Sequence, residues 1–155
     1  MSHIFLWSKR RMEISMEVKN AVMPTSDQMK GFFEDDHGQS ISMINLLKFK
    51  EKADYPADHE LHGKDMTGAE AYDIYGEEVS KLLDELGGEL RFAGDVKRLV
   101  LGEMGELWDK VAIATYPNRQ AMVGMMMSDG YRAIEAHRNA GLAGQLNIET
   151  VETEF

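Results

Sequence analysis

Residues 40–50, SISMINLLKFK, decide the fold. Ile41, Met43, Asn45, Leu47 and Phe49 alternate with Ser42, Ile44, Leu46 and Lys48, which is the period-two pattern of a β-strand. Both faces are apolar in the middle, so the pattern predicts a strand with cover on each side. Asn45 interrupts the first face. Burying an amide there without a partner costs about 1–3 kcal/mol, so Asn45 is expected to meet a polar partner, a water or a ligand.

Elements with clear signals lie on either side. Residues 24–38, PTSDQMKGFFEDDHG, predict a short helix started by Pro24 with Thr25 or Ser26, given an apolar side by Met29, Phe32 and Phe33, and ended near Gly38. Residues 51–66 are polar and aperiodic, a long loop of the kind that serves as a lid or binding loop. Thr67 and Glu70 then form a capping box, and Tyr72, Tyr75, Val79, Leu82 and Leu86 recur at helical steps until Gly87 and Gly88 stop the helix.

Residues 89–103 hold a second strand, with Gly94 expected at a bulge or bend, and residues 107–116 a third. The turn YPNR at 116–119 opens a helix through residues 120–127. After a break at 128–130 a second short helix, residues 131–140, is closed by Gly141, and a last strand is expected from about Gln145 to Thr153. The order β-α-β-β-α-β over residues 24–155 predicts one α+β domain: a ferredoxin-like split motif with an antiparallel sheet. Residues 1–23 form an N-terminal extension, in which HIFLW at 3–7 is suited to pair as an edge strand.

Two helices can cover only one face of such a sheet. The third strand carries Val111 and Ile113 on one face and Trp108, Ala112 and Ala114 on the other, so a lone copy would leave an apolar sheet face in water. That exposure costs about 25 cal/mol per Å². A homodimer with two sheets packed face to face as a barrel removes the cost.

Composition narrows the function. A chain of 155 residues, 43% of them apolar, suits a single domain with one core. Net charge is −10, with +2 on the first fifteen residues and −12 on the rest, so phosphate backbones and anionic membranes are expected to be repelled. The absence of cysteine excludes disulfides, thiolate nucleophiles and Cys-based metal clusters. The N-terminal apolar run precedes its basic cluster, the reverse of a signal peptide, and no run approaches the ~20 residues of a membrane span, so a cytoplasmic location is expected. No phosphate-binding or dinucleotide-binding glycine pattern and no Gly-x-Ser-x-Gly occurs.

The motifs MINLLKFK, AYDIYG, LGGELRFAG, LWDKVAIATYPNRQAM and YRAIEAHRNAGLAGQ, in this order, resemble domain-of-unknown-function family 1330, within the dimeric α+β barrel superfamily, over about residues 24–150. The resemblance implies a ferredoxin-like protomer and a dimeric barrel but no activity. More distant relatives include cofactor-free monooxygenases, muconolactone isomerases and haem-dependent chlorite dismutases, so the fold alone does not fix the chemistry. The long N-terminal extension, and Asn139 where the family pattern has Thr, depart from the resemblance.

Residues 135–152, EAHRNAGLAGQLNIETVE, carry the most suggestive chemistry. His137 follows Ala133 and Ile134 by four and three residues, which turns it inward. It is a candidate general base, or else a structural histidine tying the helix end to a strand carbonyl or to Asp109. Arg138 could clamp a substrate carboxylate, or serve the helix dipole. Tyr72, Tyr75 and Tyr116 could donate to a carbonyl or enolate, or simply pack. The expected site therefore groups His137 and Asp109 as catalytic residues with Asn45, Tyr72, Tyr75, Tyr116 and Arg138 as ligand-binding ones. His59 and His62 in the 51–66 loop lack a third ligand at a recognisable spacing, so no metal and no cofactor is expected.

The expected activity is that of a small-molecule-binding protein, an isomerase or monooxygenase acting without a cofactor on a small organic acid or carbonyl compound. The alternative is a non-catalytic ligand-binding or stress-related accessory homodimer.

Overall fold

The computed structural model describes residues 17–155; the HIFLW segment lies outside them. Eight elements follow in order: α1 (Ser26–Glu34), β1 (Ile41–Phe49), α2 (Gly68–Glu85), β2 (Glu89–Asp95), β3 (Lys110–Tyr116), α3 (Arg119–Met126), α4 (Asp129–Gly141) and β4 (Leu142–Thr150). The sheet order is β2-β3-β1-β4 with every neighbour antiparallel, the ferredoxin-like arrangement expected from the strand and helix order. Each helix begins on a side-chain oxygen: Thr25, Thr67, Asn118 and Ser128 accept backbone N–H groups that would otherwise be orphaned. Thr25 with Gln28 and Thr67 with Glu70 complete reciprocal capping boxes.

Register sorts the side chains onto two faces. Under the helices lie Ile41, Met43, Asn45 and Leu47 of β1, Ala112, Ala114 and Tyr116 of β3, and Gln145, Asn147 and Glu149 of β4. The main core joins Ile41, Met43, Tyr75, Leu83, Ala114, Tyr116, Met125, Tyr131 and Ile134. The opposite face carries Ile44, Leu46, Val111, Ile113, Leu146, Ile148 and Phe92, of which Phe92 is 54% and Ile148 45% exposed. An open hollow of about 420 Å³ lies on this face, lined by Ser42, Ile44, Arg91, Phe92, Ile113, Thr150 and Glu152.

Three local expectations change. The register shift in β2 falls between Leu90 and Phe92, not at Gly94, whose missing side chain instead admits the Phe92 ring: a Cβ there would stand 2.8 Å from the ring. β3 starts at Lys110, because the Trp108 indole is drawn off to the Asn20 side chain at 2.9 Å, leaving residues 96–109 as a largely exposed loop. β4 starts at Leu142, directly after α4, because Gly141 is not a left-handed cap. A Cβ at Gly141 would stand 2.3 Å from the Gly68 carbonyl oxygen, so its role is the close crossing of α4 over α2.

The 51–66 loop is docked rather than open. Lys50 and Asp54 donate backbone N–H groups to the carbonyls of Gly141 and Ala140 at 2.8 and 2.9 Å, and the Lys50 ammonium reaches the Asn139 carbonyl at 3.3 Å. The end of α4 thus finds its missing hydrogen-bond donors in the loop. Tyr55, 3% exposed, packs with Ala71 and Ala140 beneath it.

Candidate functional site

β4 turns a polar row, Gln145, Asn147 and Glu149, toward the helices, and β1 adds Asn45 beside it. The Arg138 guanidinium donates to the Gln145 side-chain oxygen at 2.8 Å. Gln145 donates to Asn45 Oδ1 at 2.6 Å, and Asn45 Nδ2 donates to the carbonyls of Met43 and Ala112, each at 3.2 Å. Asn45 therefore has the partners its position demands, and the chain of donors runs one way, from a cation into the sheet. Arg138 also donates to the Val22 carbonyl at 2.9 Å and the Asn139 side chain at 3.3 Å. Among the described residues no carboxylate lies within 4.0 Å of this half-buried guanidinium.

Four phenols share this side of the sheet. Tyr72 and Tyr75 stand with ring centroids 5.1 Å apart; Tyr75 meets Tyr131 edge-on at 6.0 Å, their hydroxyls 3.2 Å apart. Tyr116 lies in the same core. Burial pushes the hydroxyls of Tyr72, Tyr75 and Tyr116 above the ordinary value of 10.0, and the Arg138 charge opposes the rise at Tyr72 and Tyr75 without cancelling it. These three hydroxyls stay protonated at neutral pH, as hydrogen-bond donors to any oxygen among them.

His137, one residue before Arg138, faces the 51–66 loop instead. Its Nδ1 is 2.7 Å from the Tyr55 hydroxyl, and its ring meets both Tyr55 and His59 edge-on, while Tyr55 and His59 stack at 4.5 Å. Desolvation first, then the charge of His59, lowers its pKa from 6.5, against the pull of Glu60 and Glu78. His137 is therefore neutral at pH 7. His59 Nδ1 accepts from the Leu61 N–H at 3.0 Å, whereas His62 Nδ1 donates to the Tyr55 carbonyl at 2.8 Å, so these two rings serve the loop's own fold.

The Asp109 carboxylate accepts the Phe49 N–H at 2.8 Å and the Lys48 ammonium at 3.3 Å, joining the start of β3 to the end of β1. Asp109, His137 and Arg138 thus have three separate sets of partners. The structure joins Arg138 to Asn45 through Gln145 and gathers Tyr72, Tyr75 and Tyr116 with Tyr131; Gln145 and Tyr131 are two residues that sequence reasoning missed. Gln145 could have been found from its place opposite Leu47 once the β1–β4 register was known, but that register is not local information. Tyr55 sits in an aperiodic loop and gave no signal.

Sequence reasoning also missed Arg119, which among the described residues is the buried charged side chain, 7% exposed. It binds Glu149 through two hydrogen bonds of 2.6 and 2.8 Å, donates to the carbonyls of Phe32, at 3.0 Å, and Asp35, and lies 4.9 Å over the Phe32 ring.

No family model matches the chain, and no curated protein matches it. The RPA0582 protein of Rhodopseudomonas palustris, a protein of unknown function, is 30% identical over 88% of this chain and 99% of its own, with a TM-score of 0.76. The chain belongs to the RPA0582 family. A structure of methylated RPA0582 agrees, at 31% identity, 88% and 98% coverage and a TM-score of 0.77. Outside the RPA0582 family, a Caulobacter crescentus protein described as a candidate antibiotic biosynthesis monooxygenase shares the fold alone, at 16% identity over 77% of this chain and 94% of that one, with a TM-score of 0.51.

Proposed function

We propose that this protein binds a small organic acid or carbonyl compound between the β1–β4 half of the sheet and helices α2 and α4, and transforms it without a cofactor, by isomerisation or monooxygenation. The observation that carries this reading is Arg138, a half-buried cation that among the described residues meets neutral oxygens only. Among the described residues three of its five N–H donors are used, so two remain for a carboxylate or enolate oxygen. Gln145 and Asn45 fix the guanidinium, and the protonated tyrosines suit an oxygen on which negative charge develops. His137, bonded to Tyr55, faces the 51–66 loop and takes no part at this end of the site.

The test is thermal stability of wild type and Arg138→Gln with a panel of small carboxylates and carbonyl compounds. A ligand at several times its dissociation constant is expected to stabilise wild type by about 1 kcal/mol or more. Arg138→Gln should bind at least tenfold more weakly, and a panel without any Arg138-dependent ligand would sink the proposal. The fully satisfied Asn45 amide favours the second reading, a non-catalytic ligand-binding or accessory protein, in which a ligand is bound and returned unchanged.

The homodimer belongs to the same proposal. What supports it is the apolar outer sheet face, with Phe92 54% and Ile148 45% exposed. Sedimentation should give a dimer, and Phe92→Asp should weaken it at least tenfold, about 1.4 kcal/mol; a wild-type monomer at all concentrations would refute it. Placement in domain-of-unknown-function family 1330 rests on the five ordered motifs. Among the described residues no helix is long and apolar enough to cross a membrane; a cytoplasmic location is part of the proposal and rests on the sequence pattern.

A further inference from the structure

Residues 20–25 run from the open edge of β4, where Ala21 bridges Gln145, into α1. This strap is held at its two ends by two arginines of different strength, the near end also by the 2.9 Å bond from the Trp108 indole to Asn20. At the far end Arg119 holds the carbonyls of Phe32 and Asp35 while its guanidinium is itself locked on the Glu149 carboxylate by two bonds of 2.6 and 2.8 Å. At the near end Arg138 holds the neutral Val22 carbonyl at 2.9 Å, and a single 3.3 Å backbone bond runs from Ala21 N–H to the Gln145 carbonyl. Between these ends α1 buries no residue, and only Met29 and Phe32 are half-buried.

We infer that residues 20–23 form an internal plug, the Val22 carbonyl occupying at Arg138 the place of a ligand oxygen, and that ligand entry lifts this end of the strap while α1 stays hinged at Arg119. The inference rests on the proposed ligand site. A carboxylate adds charge–charge attraction and can take two N–H donors of one guanidinium at once, which a neutral carbonyl cannot, so an anion can displace Val22. The same anion gains nothing at Arg119, whose charge is already matched by Glu149.

The test uses the full chain, benzoate as probe, and Ala21→Pro, which removes the N–H that ties the strap to β4. Benzoate is expected to bind Ala21→Pro about three- to tenfold more tightly than wild type. In wild type, saturating benzoate should speed exchange of the Ala21 amide at least tenfold and leave the Asp35 amide unchanged. Arg138→Gln should abolish both effects. If benzoate binds in an Arg138-dependent way but Ala21→Pro binds no tighter, or if exchange at Ala21 slows on binding, the plug is wrong and the ligand site stands. If no benzoate binding depends on Arg138 in either protein, both fall.

Discussion

Gly141→Ala is expected to destabilise the protein by about 3 kcal/mol or more, since overpacking a tight contact commonly costs 1–3 kcal/mol and here the obstacle is backbone. The added carbon would stand 2.3 Å from the Gly68 carbonyl oxygen and 3.0 Å from the Tyr72 nitrogen. Gly68→Ala should be as damaging, its carbon meeting the Lys50 carbonyl oxygen at 2.1 Å and the Gly141 oxygen at 2.7 Å. A side-chain tip could swing away; these atoms belong to α2, α4 and the loop that caps α4, so relief requires the crossing itself to open. Urea denaturation of both variants measures the loss. Gly76→Ala is the control: nothing lies within 4 Å of its Cβ position in the middle of α2, so it should stabilise by about 0.5–1 kcal/mol. Equal behaviour of all three would show that the helices do not need their glycine contact.

Glu149→Ala is expected to cost about 2–3 kcal/mol. Removing one partner of a buried ion pair costs about 3–5 kcal/mol, because the remaining charge is stranded. The Glu149 side chain is 23% exposed against 9% for Arg119, which places the expected loss below that range. The pair also sets an acid limit. The hydrogen bond from Arg119 is the largest influence holding the Glu149 carboxyl below its ordinary value of 4.5, with burial opposing it and the charges of Arg119 and His37 assisting. A carboxyl lowered in the folded state contributes stability that is complete above the unfolded value and is lost as pH falls through the folded one. Wild type should therefore lose stability below about pH 4.5 more steeply than Glu149→Gln, in which that group no longer titrates. Parallel stability curves for the two proteins in this range would remove Glu149 from the account.

The fold was legible because its signals are local. The two-sided apolar run at residues 41–49, the Thr67/Glu70 capping box and the Gly87–Gly88 stop each determine their own element. Asn45 was also legible, as a polar group in an apolar strand face that had to find a partner. Which partner it finds was not: Gln145 lies 100 residues away, and a register slip of one residue would send it to the other face. Gly141 was legible as the end of its helix, but not the reason for a glycine there: only the crossing with α2 shows that its lack of a side chain is what matters. The His137–Arg138 pair pointed to the end of α4, but neighbours on a helix diverge by about 100°. One side chain accordingly turns to the 51–66 loop and the other to β4.

The central position of β1 has a consequence for biosynthesis. Its neighbours in the sheet are β3 and β4, and its ties to the last strand span 100 residues from Asn45 to Gln145 and 108 from Ser42 to Thr150. At synthesis rates of about 5–20 residues per second, β1 waits roughly 5–20 s on the ribosome before its final partner has been made. During that interval an apolar strand has both edges open until β3 is made and one edge open until β4 follows, so it is exposed to pairing with other nascent chains.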